Sequence, residues 1–168
     1  MKNLILYRIL SYILLILAGL LSLFVLFGFF AALANPVMLL PVFLMACVVI
    51  YSYTSWRFLT RGIDYNQPCK TSLRDLIRVN AMVSILFAVL LLIQSYNILS
   101  NPKLLDTALE QAAAMQGSGA EEMKQMMPKI LLSVLKFMVV YSILLLVHSF
   151  FTFRLLKQYR HIFEPPKD

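Results

Sequence analysis

The side chains best suited to chemistry in this chain gather around one histidine. His148 stands in an apolar run six residues before Arg154, about 9 Å along a helix. Polar side chains at a similar depth in other apolar runs are Ser52 and Ser55, and Asn80 and Ser84, while Ser149 and Thr152 adjoin the histidine itself. The spacings 52/55, 80/84 and 148/152 each set two polar groups on one helix face. An imidazole flanked by hydroxyls can take up and release a proton near neutral pH. The same groups can instead hydrogen-bond between helices and hold them together. No Asp or Glu stands inside an apolar run to share a proton, so the expectation is packing.

Other reactive groups are sparse. The two histidines, His148 and His161, are 13 residues apart, with His161 beyond the apolar run, so neither a bound metal nor a haem is expected. Cys47 lies in an apolar run and Cys69 in a basic loop, and neither belongs to a C-x-x-C pair. Met115, Met123, Met126 and Met127 cluster near one another, where soft thioethers suit Cu(I) but equally fill irregular apolar surfaces. Asp64 and Asp75 have only Cys69, Arg and Lys for company, which is no set of nucleophile, acid and base. The chain is read as a non-enzyme without cofactor.

The elements that carry these residues follow from the apolar pattern. Of 168 residues, 61% are hydrophobic and 14% charged, against about a quarter charged in soluble domains. The 48 residues between Arg8 and Arg57 hold no Asp, Glu, Lys or Arg. Since about 20 apolar residues cross a hydrocarbon core, that run contains two spans, broken at Asn35-Pro36. Ala32-Leu33-Ala34 resembles a signal-cleavage site, but the run before it far exceeds a signal peptide's 7–15 apolar residues, so a retained span is expected. The full reading is an all-α, polytopic membrane protein with spans at about 9–34, 36–59, 75–99 and 130–153. Residues 61–74 form a polar loop, and 103–128 form a helical insert. Pro41 should bend the second span, and Pro128 should kink or restart the helix that enters the fourth. Ser118-Gly119-Ala120-Glu121 has capping-box spacing. Lys136, within the fourth span, can snorkel outward.

Charge sets orientation. Lys2, Arg8, Arg57, Arg61, Lys70, Arg74, Arg78, Arg154, Lys157, Arg160 and Lys167 fall on one side, and Lys103, Lys124 and Lys129 on the other. Eleven against three predicts both termini in the cytoplasm of a plasma (inner) membrane, with the insert outside. The net charge of +7 therefore points to anionic lipid, through Arg57, Arg61, Arg74, Arg78, Arg154 and Lys157, rather than to nucleic acid.

The chain also reads as two similar hairpins. Arg8 precedes Asn35-Pro36 by 27 residues and Arg74 precedes Asn101-Pro102 by the same 27. Residues 52–59 align with 149–156, sharing Ser, Arg and Leu at an offset of 97, while the Asn-Pro landmarks are offset by 66. A 31-residue insertion in the second copy accounts for the difference. The expected function is a subunit or scaffold that binds lipid, a protein partner or a second copy of itself, with a small transporter or channel around His148 as the alternative.

Overall fold

The computed structural model describes the backbone of residues 2–116 and 121–163 and the side chains of residues 4–111 and 126–163. The described chain is helical and contains no strand. Five α-helices follow one another: α1 (Lys2–Ala34), α2 (Leu39–Arg57), α3 (Thr71–Ser100), α4 (Pro102–Gln116) and α5 (Glu121–Gln158). Four stretches, Leu4–Ala34, Pro36–Asp64, Thr71–Ser100 and Met126–Gln158, are long and apolar enough to cross a membrane.

Asn-Pro opens a helix twice. Asn35 is extended, at φ −135°, and its Oδ1 accepts the Val37 N–H at 3.2 Å, while Pro36 occupies the first helical position, where an N–H would be unpaired. A 3-10 turn, Pro36–Met38, then leads into α2. Pro41 falls in the first turn of α2, where the missing N–H costs little. Asn101 Oδ1 likewise accepts the Lys103 N–H at 3.1 Å, ahead of Pro102 and α4. Further on, α5 runs unbroken through Pro128, forgoing one backbone bond there rather than restarting. Gly117 to Ala120, with the capping-box serine, lie outside the described residues, as do the side chains of Met115, Glu121 and Met123.

The polar loop is shorter than its composition suggests. Beyond Arg57 the chain continues as a π-helix, Phe58–Asp64, closed by the Tyr65 N–H donating to the Thr60 carbonyl five residues back at 3.0 Å. Gly62, within the stretch expected to be loop, is a point of close approach. A Cβ there would lie 3.1 Å from the Phe58 ring and 3.4 Å from Cys69 Sγ. Asn66 ends the segment at φ 49°, a left-handed conformation that Asn tolerates. The Cys69 N–H then donates to the Ile162 carbonyl at 2.9 Å, and the Phe58 ring stacks on Phe163 at 5.4 Å. Helix α3 begins at Thr71, four residues ahead of the expected start at 75.

The chain forms two compact units. One comprises residues 1–87 and 145–168, the other residues 88–144. In the first, α1 packs along α2, and the core is built on Tyr7, Leu14, Val48, Tyr51, Phe58, Ile77, Leu145 and Leu156. Ile16, Phe24, Phe27 and Leu33 of α1 stay more than half exposed, as side chains facing lipid would. The second unit buries Ser95, Leu135, Tyr141 and Ser142, and the Phe137 and Tyr141 rings stack at 6.2 Å. Lys136 is exposed there, as a snorkelling ammonium requires.

Helices α1 and α2 approach closely at Gly28, where an added Cβ would stand 2.8 Å from Val42 Cγ2. Val42 is β-branched and stiff, so it cannot swing clear. Gly28→Ala should therefore cost about 1–3 kcal/mol, and Val42→Ala in the same chain should recover most of it. Unfolding in mixed micelles measures both, and a Gly28→Ala chain as stable as the parent would place the contact elsewhere.

Candidate functional site

Three helices of the first unit bring five polar side chains together, His148 among them. Helix α1 supplies Tyr7 and Ser11, one turn apart, α2 supplies Tyr51, and α5 supplies His148 and Thr152, again one turn apart. Their relative exposures are 0 to 1%. The imidazole lies flat against the Tyr7 ring, with centroids 4.7 Å apart and planes 8° apart, and meets Tyr51 edge-on at 5.5 Å.

Proton counting sets the tautomer. The Ser11 hydroxyl donates to the Tyr7 carbonyl at 2.8 Å, which uses its one proton. Ser11 Oγ must then accept from His148 Nε2–H, 2.9 Å away. In a neutral imidazole Nδ1 is left as an acceptor for the Tyr51 hydroxyl at 2.7 Å. Thr152 Oγ1 lies 2.9 Å from the Tyr51 oxygen, 2.9 Å from the His148 carbonyl and 3.3 Å from the Tyr7 oxygen, so its proton has three acceptors within reach. Neutral His148 is fully satisfied.

The same heavy atoms also admit an imidazolium. If Tyr51 donated to Thr152, and Thr152 to the His148 carbonyl, the Tyr51 oxygen would be free to accept from Nδ1–H. Two hydroxyl rotations separate these arrangements. The network contains no carboxylate, however, so a charge there would be solvated by dipoles alone.

The residues expected around His148 divide sharply. Thr152 joins the network. Ser52, Ser55 and Asn80 donate instead within their own helices, to the carbonyls of Val48, Ser52 and Leu76 at 2.8, 3.1 and 2.8 Å. Ser84 is buried without a hydrogen-bond partner among the described residues, and Ser149 is buried with its hydroxyl near Tyr51 but without a well-formed hydrogen bond. Tyr7, Ser11 and Tyr51 were not expected. For Tyr51 the signal was present, since carrying the 52–59/149–156 alignment back by one residue pairs Tyr51 with His148.

A second set of groups lies at the helix ends. Arg74, Arg78, Lys157 and Arg160, with Phe153 and Leu156, line a cavity of about 480 Å³. Arg57, Arg61 and Lys70 line another of about 420 Å³, with Cys69 and Leu73 in its wall. Burial pushes the Cys69 thiol up, against the opposing pull of Arg61 and Arg57. Arg154 is exposed and lines neither cavity. Two carboxylates answer this charge: Asp64 pairs with Arg8 at 2.6 Å, and Asp75 with Arg74 at 3.1 Å. Among the described residues no group of three or more His, Cys, Asp or Glu is placed to hold a metal ion.

Helices long and apolar enough for four spans mark a multi-pass membrane protein. Comparison with protein-family models, with curated proteins and with solved structures gives no match.

The hydrogen bond between Tyr51 and His148 should couple α2 to α5. A double-mutant cycle of Tyr51→Phe and His148→Leu should return about 1 kcal/mol, above the 0.6 kcal/mol average for interhelical bonds in membranes. A coupling indistinguishable from zero would mean that the ring contacts, and not this bond, hold the helices.

Proposed function

We propose that this chain is a non-enzymatic multi-pass membrane protein, a subunit or scaffold whose basic face binds anionic lipid and whose other surfaces receive protein partners or a second copy. One contrast carries the reading. The polar groups around His148 are sealed and occupied by one another, whereas the cations at the helix ends line open cavities. A site that handles a solute needs the reverse, an accessible polar centre. A transporter built on His148 is the second reading, and the observation in its favour is that the network accommodates either charge state.

In this reading both termini and residues 65–70 are cytoplasmic, in a plasma (inner) membrane, and the 103–128 insert lies outside. The eleven-to-three distribution of basic residues supports that orientation. The insert offers apolar faces to the membrane interface or to a partner.

Duplication of a helical hairpin is part of the same proposal. Tyr7, Leu10, Ser11, Leu14 and Ala18 are buried along α1, and so are Ile77, Asn80, Ala81, Ser84 and Ala88 along α3, each 70 residues later. Val48, Tyr51, Ser52, Ser55, Phe58 and Leu59 are matched at 97 residues by Leu145, His148, Ser149, Thr152, Leu155 and Leu156. The buried positions thus pair Arg8 with Arg78, one turn beyond Arg74, which the Asn-Pro spacing had suggested.

Two measurements test the reading. In a Cys69→Ser background, an impermeant thiol reagent applied to intact cells should label Ser118→Cys and spare Tyr65→Cys, a position 74% exposed. The opposite labelling would invert the topology. In reconstituted vesicles, His148→Gln should leave the chain folded and its bound lipid unchanged. Proton-coupled transport that His148→Gln abolishes without unfolding would put the transporter first.

A further inference from the structure

Arg8 and Arg78 hold corresponding places on α1 and α3, each one residue past a fully buried side chain, Tyr7 or Ile77, and two before a buried one, Leu10 or Asn80. Their surroundings differ in one respect. Arg8 is met by the Asp64 carboxylate at 2.6 Å, so the first hairpin carries its own anion. Arg78 has no carboxylate within ion-pair distance among the described residues. It faces the cavity of about 480 Å³ that Arg74, Lys157 and Arg160 also line.

We propose that this cavity is a binding site for the phosphate of an anionic phospholipid, which stands to Arg78 as Asp64 stands to Arg8. The inference rests on the lipid-binding reading above and assigns that role to one site. Three features select the ligand. Among the described residues the one acid paired at this cavity is Asp75, which is bound to Arg74 and points outward at 59% exposure, so Arg78 and Lys157 are left to face an anionic ligand. Guanidinium groups suit phosphate through paired N–H donors, and Lys157 adds a point charge. The remaining wall is apolar: Leu156 belongs to the core, but Phe153 is only half-buried and lies in a stretch long enough to span the membrane, so a ligand held there by its phosphate would lay hydrocarbon against that ring. A free phosphate would gain nothing from that wall. Of the cations expected to meet lipid, Arg74, Arg78 and Lys157 are thereby gathered into one site, Arg160 is added, and Arg154 is left out.

The test is native mass spectrometry of the full chain in detergent, titrated with phosphatidylglycerol and, separately, with phosphatidylcholine. The parent chain should prefer phosphatidylglycerol. Arg78→Gln and Lys157→Gln, both at exposed positions, should each weaken phosphatidylglycerol about tenfold, the usual worth of one charge-assisted hydrogen bond. Lys103→Gln should not, and millimolar inorganic phosphate should not displace the lipid. If phosphatidylglycerol binds the parent and both cavity variants alike, this site is wrong while lipid binding stands. If the parent does not distinguish the two lipids, both readings fail together. Displacement by inorganic phosphate would reassign the cavity to a soluble phosphoanion and overturn the lipid.

Discussion

Within a bilayer, a polar group that finds no partner in the protein finds none at all. Most of the polar side chains here meet that constraint locally. Ser11, Ser52, Thr54, Thr60, Ser133 and Ser142 each donate to the carbonyl four residues back, and Ser55 to the one three back. Asn80 uses its amide in the same way. Such bonds close a helix upon itself and bind it to nothing else. Interhelical hydrogen bonding is left to the few groups with two functional ends, and His148 is foremost among them. With a ring nitrogen on either side it reaches α1 through Ser11 and α2 through Tyr51. The stacking of its face on Tyr7 then fixes the ring plane.

The basic end is organised differently, because water and headgroups are available there. The π-helical turn and the left-handed Asn66 fold the chain back so that Cys69 can bond to Ile162, and Gly62 leaves room for Phe58 and Cys69 beside it. The packed patch that results, Phe58 against Phe163, anchors the last turns of α5. It thereby holds Lys157 and Arg160 at the cavity they share with α3. Apolar packing positions the charges, which then face outward.

Much of this was legible in the sequence, for identifiable reasons. Uncharged runs and Asn-Pro pairs located the four long helices, since crossing length and helix capping depend on local composition. Depth and spacing set His148 and Thr152 on one face, and the two stand in one hydrogen-bonded network. Tyr7 lies ahead of the uncharged run, which starts only after Arg8, whereas α1 begins at Lys2. Ser52, Ser55 and Asn80 were assigned to the cluster because spacing reveals a shared face and not whether a hydroxyl has already spent its proton on its own backbone. Gly62 was read as a loop residue since nothing local announces a π-turn. The close approach of Phe58 and Cys69 to Gly62 comes from residues four before it and seven after, which only the folded chain brings together.

The His148 network also imposes an order on how the chain is built. Tyr7, Ser11 and Tyr51 emerge from the ribosome well before their partner, which follows Tyr51 by 97 residues and Tyr7 by 141. Until α5 enters the membrane, the Tyr51 hydroxyl has neither of its acceptors and the flat face of Tyr7 has nothing to stack on. The first two helices can insert on hydropathy and pack on one another through contacts such as Gly28 with Val42, but the polar part of their interface is completed only when α5 arrives. Completion of this network therefore waits on the last helix. Chains interrupted before residue 148 would present an unpaired tyrosine to the hydrocarbon, a mark by which quality control could tell them from finished ones.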